Sequence, residues 1–194
     1  MAADSRRFGA TGTCNVGDRR TGAVIWLTGL SGAGKSTIGE ALCERLQRAG
    51  DEVEYLDGDA IRAVFPQTGF SPSERDAHVR RVAFVASLLE RHGVVVVVAL
   101  ISPYVRSRAF AREMCRSFVE VHVSTSLEVC EARDVKGLWA RARRGEIASF
   151  TGLDDPYEPP PSPELVIDTA RTSVADAVQK ILGTLERTRL KVTA

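Results

Sequence analysis

The chain has 194 residues, 44% hydrophobic and 26% charged, with a net charge of +1, which fits one globular domain with a real core. The near-neutral balance gives no global argument for a nucleic-acid or membrane-surface partner. The longest apolar run, Val94 to Ile101, is far too short to span a bilayer.

Residues 1–20 mix Gly, Ser, Thr, Arg and Asp without periodicity and read as a flexible tail ahead of a domain over 21–194. This start also lacks the apolar segment of a signal peptide. The four cysteines, Cys14, Cys43, Cys115 and Cys130, show no C-x-x-C spacing. Free thiols in a reducing, cytoplasmic compartment are expected.

Ala23 to Leu27 is an apolar run bounded by glycines, the pattern of a fully buried parallel strand. It leads into Gly29, Leu30, Ser31, Gly32, Ala33, Gly34, Lys35, Ser36 and Thr37, which fit G-x-x-x-x-G-K-[ST]. Ile38, Leu42 and Leu46 then recur at helical spacing to a stop at Gly50. Strand, glycine loop and helix together make a phosphate-binding loop. Its backbone N–H groups and the positive helix end face an anion. Lys35 serves the β- and γ-phosphates of ATP, and Ser36 offers a hydroxyl to Mg²⁺.

Asp51 to Leu56 reads as a second strand, ending in Asp57, Gly58 and Asp59. Carboxylates at the carboxyl end of such a strand sit where open α/β sheets bind ligands. Asp57 is the candidate metal ligand beside Ser36, and Asp59 a candidate to orient an attacking hydroxyl. Ala60 to Thr68 reads as short and irregular. Ser71, Pro72 and Glu74 then form a capping box. Val79, Val82, Val85, Ala86 and Leu89 line one face of the helix that follows. Arg75 and His78 lie three apart and can share a ligand.

Val94 to Ala99 is a β-branched run typical of a central parallel strand. Ser102 is expected to cap the next helix, with Pro103 at its first position. Phe118 to Val123 alternates as a strand, Ser126 to Asp134 reads as a short helix, and Leu165 to Ile167 as a last strand. Ser173 to Leu190 is a closing helix with Val174, Val178, Ile181 and Leu185 inward. Between these, a basic segment from Lys136 runs into a Pro/Gly/Asp-rich loop. A connector this long is expected to be a lid over 136–160 that neutralises charge and excludes water. The alternation gives an α/β fold, a parallel sheet of about five strands flanked by helices.

Together these motifs resemble the adenylylsulfate kinase family of P-loop kinases. The resemblance rests on the phosphate loop, Asp57-Gly-Asp59 with Arg62, Gly69-Phe70-Ser71 with Arg75, and Ile101-Ser102-Pro103-Tyr104. It continues through Leu127 to Asp134, Lys136-Gly-Leu, Gly145-Glu-Ile, Phe150-Thr-Gly and Asp154 to Pro160. It covers about Thr21 to Leu182. It implies the P-loop nucleoside-triphosphate hydrolase fold and transfer of the ATP γ-phosphoryl group to the 3′-hydroxyl of adenylyl sulfate. Asp59, Arg62, Phe70, Arg75, His78, Ile101, Ser102, Lys136 and Phe150 would hold the acceptor, with Phe70 and Phe150 stacked on its adenine. The resemblance also implies a homodimer and functional coupling to ATP sulfurylase. Ala60, His78 and Ser149 depart from it, where many members have Asn, Asn and Gly.

Two other readings stand beside this one. A kinase of another small hydroxyl acceptor, a nucleotide or a sugar acid, would share the phosphate loop. A nucleotide-binding switch of the GTPase type is disfavoured, because a guanine-reading Asn-Lys-x-Asp motif needs asparagine and Asn15 is the only one.

Overall fold

A computed structural model describes residues 22–65 and 69–192. The expected tail, residues 1–20, lies outside them. Five strands form one parallel sheet: β1 Ala23–Thr28, β2 Val53–Asp57, β3 Val95–Ala99, β4 Phe118–Val123 and β5 Leu165–Ile167. Their spatial order is β2-β3-β1-β4-β5, and Ile25 pairs with Val97 on one side and Val119 on the other.

Both faces of the sheet are buried at its centre, which is why β1 and β3 are buried at every position and almost wholly apolar. Ala23, Ile25, Leu27, Val95, Val97, Val119 and Val121 point to one core. That core receives Ile38, Leu42 and Leu46 of α1 (Lys35–Arg48) and Val178, Ile181 and Leu185 of α7 (Val174–Val192). Val24, Trp26, Val96 and Val98 point to the other core, against α3 (Pro72–Arg91) and α4 (Val105–Met114). Val174, expected inward, is 38% exposed at the start of α7.

Leaving β1, the chain turns toward the α1 face. Leaving β3, it turns toward the α4 face. Adjacent strands whose continuations diverge open a crevice at their carboxyl ends, the usual ligand position in such sheets.

Three expectations need correction. Residues 58–64, read as irregular, form a helix, α2 (Gly58–Val64). The Asp57 carboxylate caps it, Oδ1 accepting from the Asp59 and Ala60 N–H groups at 2.9 and 3.1 Å. Next, α4 begins at Val105 with Tyr104 at its N-cap, so Ser102 does not cap it. Ser102 has φ 40°, a left-handed conformation uncommon for a residue with a side chain. Finally, besides the expected α5 (Leu127–Arg133), the basic segment contains a one-turn helix, α6 (Leu138–Arg143). Asp134 starts α6 by accepting from the Trp139 and Ala140 N–H groups, both at 2.9 Å.

Candidate active site

The continuations of β1, β2 and β3 meet the segment around α6 at one cavity of about 870 Å³, near the upper end for small-molecule sites. From the phosphate loop it is lined by Ser31, Gly32, Gly34, Lys35, Ser36 and Thr37. Asp57, Asp59, Arg62, Phe70, Arg75, His78, Ile101, Ser102, Lys136 and Phe150 complete the residues expected from the sequence. Gly29, Leu30 and Ala33 shape the loop from outside the cavity; Ala33 is fully buried.

Gly32 shows why the loop needs glycine. Its φ is 81°, and a Cβ there would sit 2.7 Å from the Cys130 carbonyl oxygen. Lys35 is buried, its Nζ donating to the Gly29 and Leu30 carbonyls at 3.0 and 2.8 Å. Burial lowers its pKa to about 8.

Across the cavity, Lys136 Nζ donates to Asp59 Oδ2 at 2.6 Å. That bond raises the lysine's pKa. Arg75 is committed to the segment expected to form a lid. Its Nε donates to the Phe70 carbonyl at 2.7 Å, and its two terminal nitrogens donate to Thr151 Oγ1 and the Ser149 carbonyl. Asp155 is 3.4 Å away. Ser149 accepts this bond from a left-handed backbone, φ 57°. The Arg62 guanidinium lies over the Phe70 ring at 4.5 Å and donates to the Gly69 carbonyl at 2.6 Å. Phe70 is exposed, whereas Phe150 is buried edge-on against Trp139 with centroids 4.8 Å apart.

Ser102 is held from beneath. Its Oγ accepts from Trp26 Nε1 and donates to Thr28 Oγ1, each at 3.0 Å. Thr28 Oγ1 donates onward to the Ile101 carbonyl at 2.7 Å and lies 3.0 Å from the Tyr157 hydroxyl. Arg108, almost fully buried, donates to the Ser102 carbonyl, the Glu158 carbonyl and Glu120 Oε1 at 2.7, 2.7 and 2.8 Å. The turn after β3 and the end of the expected lid segment are thus tied to one guanidinium.

Comparison with known proteins decides the family. The adenylylsulphate kinase family model matches residues 21–168. The chain belongs to the adenylylsulphate kinase family. An adenylyl-sulfate kinase of Paraburkholderia xenovorans is 54% identical over 84% of this chain and 93% of its own length. One from Gloeothece citriformis is 52% identical over 87% and 97%. The structure of a Mycobacterium tuberculosis APS kinase in complex with AMPPNP and APS superposes with a TM-score of 0.83. It is 39% identical, over 86% of this chain and 99% of that one.

In this adenylylsulphate kinase family member, several cavity residues escaped the sequence reading. Arg133, Thr169, Thr172 and Val174 line the same cavity. Thr169 Oγ1 accepts from Arg133 at 2.6 Å and donates to the Ala33 carbonyl at 2.9 Å. Thr169 stands just past β5, so the rule that ligands gather at strand carboxyl ends was the signal available for it. Trp26, Thr28, Arg108 and Tyr157 had no such signal, since their roles come from contacts made across the fold.

Proposed function

We propose that this chain transfers the γ-phosphoryl group of ATP to the 3′-hydroxyl of adenylyl sulfate, giving 3′-phosphoadenylyl sulfate. The observation that carries this reading is one cavity lined by the phosphate loop and the whole expected acceptor set, in a member of this family.

The chemistry follows from what each group offers. The phosphate loop's N–H groups and the start of α1 cradle the donor phosphates. Lys35 exchanges its two carbonyl partners for phosphate oxygens and carries charge to the transferring group. Asp59 orients the acceptor hydroxyl and takes its proton as the new P–O bond forms. Lys136 leaves Asp59 for the phosphoryl oxygens as the lid closes. Ser102 has its hydroxyl proton engaged by Thr28, which supports direct in-line transfer and a positioning role for the serine.

Ser36 and Asp57 would hold Mg²⁺. Among the described residues no group of three or more His, Cys, Asp and Glu gathers as a metal cage. Mg²⁺ in phosphoryl-transfer sites suits that arrangement, because it takes one or two protein oxygens, waters and substrate phosphates. When bound, it would supply positive charge that neutralises the donor phosphates.

In this reading the enzyme works as a cytoplasmic homodimer functionally coupled to an ATP sulfurylase. Cys43, Cys115 and Cys130 are free thiols, as a reducing compartment favours. No helix among the described residues is long and apolar enough to cross a membrane. Incubation with ATP, Mg²⁺ and adenylyl sulfate, followed by ³¹P spectroscopy, is expected to show a new 3′-phosphomonoester beside ADP. ADP without that signal would contradict the assignment.

A further inference from the structure

Tyr55 of β2 packs against the core that α1 shares with the sheet. Its hydroxyl oxygen is buried and has no hydrogen-bond partner among the described residues. That is an unfavourable state for a polar group out of water. The ring is nonetheless seated by a second concession. Gly39 lies inside α1, where glycine weakens a helix. A Cβ at Gly39 would stand 2.7 Å from Tyr55 Cε2 and 3.3 Å from the Tyr55 hydroxyl oxygen. A poor helix former and an unsatisfied hydroxyl together hold this ring at this place.

The place is the back of the expected metal site. Ser36 precedes Gly39 by three residues and shares its face of α1, and Tyr55 precedes Asp57 by two and shares its face of β2. Ser36 and Asp57 line the cavity, whereas Tyr55 does not. The Tyr55 hydroxyl thus stands behind these two residues, out of reach of a ligand. Burial, with Asp57, Glu40 and Cys43, pushes its pKa up to about 12, and the Ser36 side chain works the other way. The group is therefore a neutral hydroxyl, able to accept as well as donate.

We propose that Tyr55 is a positioning residue for the Ser36 hydroxyl when Mg²⁺ accompanies the nucleotide. This rests on the reading of Ser36 and Asp57 as the residues that hold Mg²⁺. A serine hydroxyl that offers a lone pair to a cation must send its proton elsewhere, and such outer partners orient the inner ligands. The Tyr55 oxygen accepts that proton in a hydrogen bond and so turns the Ser36 lone pair toward the cavity. No covalent bond is made or broken.

The test compares the full chain with Tyr55→Phe, using Mn²⁺ as the probe for Mg²⁺. Mn²⁺ is titrated into each protein with ADP bound, and free Mn²⁺ is read from its electron paramagnetic resonance signal. Calorimetry measures ADP binding in EDTA. The expected result is Mn²⁺ held about tenfold more weakly by Tyr55→Phe, with ADP affinity in EDTA unchanged. In a Ser36→Ala background, Tyr55→Phe should weaken Mn²⁺ binding no further. Equal Mn²⁺ affinity in wild type and Tyr55→Phe overturns the proposal. So does a loss that extends to ADP in EDTA, or one that is undiminished in the Ser36→Ala background. In each of these cases, with Mn²⁺ held by the wild type, only the role of Tyr55 falls. If the wild type binds ADP yet holds no Mn²⁺ beside it, the metal reading of Ser36 and Asp57 falls with it.

Discussion

Lys35 sits in a balance that only a bound phosphate resolves. Burial lowers its pKa to about 8, while its ammonium group is held by two carbonyls of its own loop. In the free enzyme its charge is present below about 8 and lost as pH rises through that value. Since kcat/KM reports groups of the free enzyme, kcat/KM for ATP should fall above pH about 8. Rate profiles from pH 6 to 10 test this; a flat profile to pH 10 would speak against a titrating Lys35. Lys35→Ala should lower turnover by roughly 100-fold or more, through lost transition-state charge stabilisation, with folding barely changed by circular dichroism. Asp59 and Ser102 separate chemistry from positioning. Asp59→Asn should nearly abolish phosphoryl transfer while ATP still binds. Ser102→Ala should keep measurable activity and lose about 1–3 kcal/mol of stability, because the buried Trp26 N–H loses its acceptor. A folded Ser102→Ala enzyme that binds both nucleotides and has no activity, with ³²P retained on the wild-type serine, would make Ser102 a covalent intermediate instead.

The elements that cover the site are held by a few side chains on rigid helices. Arg75 on α3 holds the lid at Ser149, Thr151 and Asp155, and Arg108 on α4 holds its end at Glu158. Hydrogen exchange over 136–160 is expected to slow when ADP and adenylyl sulfate are both present, since the lid then gains ligand contacts on its inner side. Equal exchange with and without ligands would argue for a fixed cover. Removing Arg108 leaves Glu120 with Arg112 as its remaining cation, the Glu158 carbonyl without the Arg108 donor, and the Ser102 carbonyl with only the 3.5 Å bond from Thr28 Oγ1. Arg108→Met should therefore cost about 3 kcal/mol in denaturant unfolding; an unchanged midpoint would deny the clamp its structural weight. These covering elements were the hardest to read from sequence. A one-turn helix such as α6 is shorter than the window over which periodicity shows. Its start depends on Asp134, whose carboxylate reads equally well as a loop residue. At Asp57 the same ambiguity hid a helix cap at the end of a strand, ahead of a segment read as irregular. Ser102 was misread for a related reason. Ser-Pro is a strong local helix-start signal, but bonds to Trp26 and Thr28, distant in sequence, hold the turn in another conformation.

At the scale of the molecule, the sheet does the positioning. Because both its faces are buried at the centre, β1 and β3 appear in the sequence as apolar runs, β4 shows by its alternation, and these three were legible almost to the residue. Their carboxyl ends then place the phosphate loop, Asp57 to Asp59 and the turn at Ser102 around one cavity. The candidate site was legible to the extent that its residues belong to these strand ends or to local motifs. Arg133 joins through its long-range bond to Thr169 and was not; Thr169, just past β5, had the strand-end signal and was passed over. A kinase of another small hydroxyl acceptor would share the phosphate loop, so acceptor choice is the central question. The direct measurement is the initial rate of ADP release with Mg²⁺-ATP and, separately, adenylyl sulfate, AMP or gluconate. A cavity built with polar groups for one acceptor should reject analogues lacking their partners. The expected result is a kcat/KM for adenylyl sulfate at least about 100-fold above either alternative; equal or faster turnover of AMP or gluconate would contradict the account.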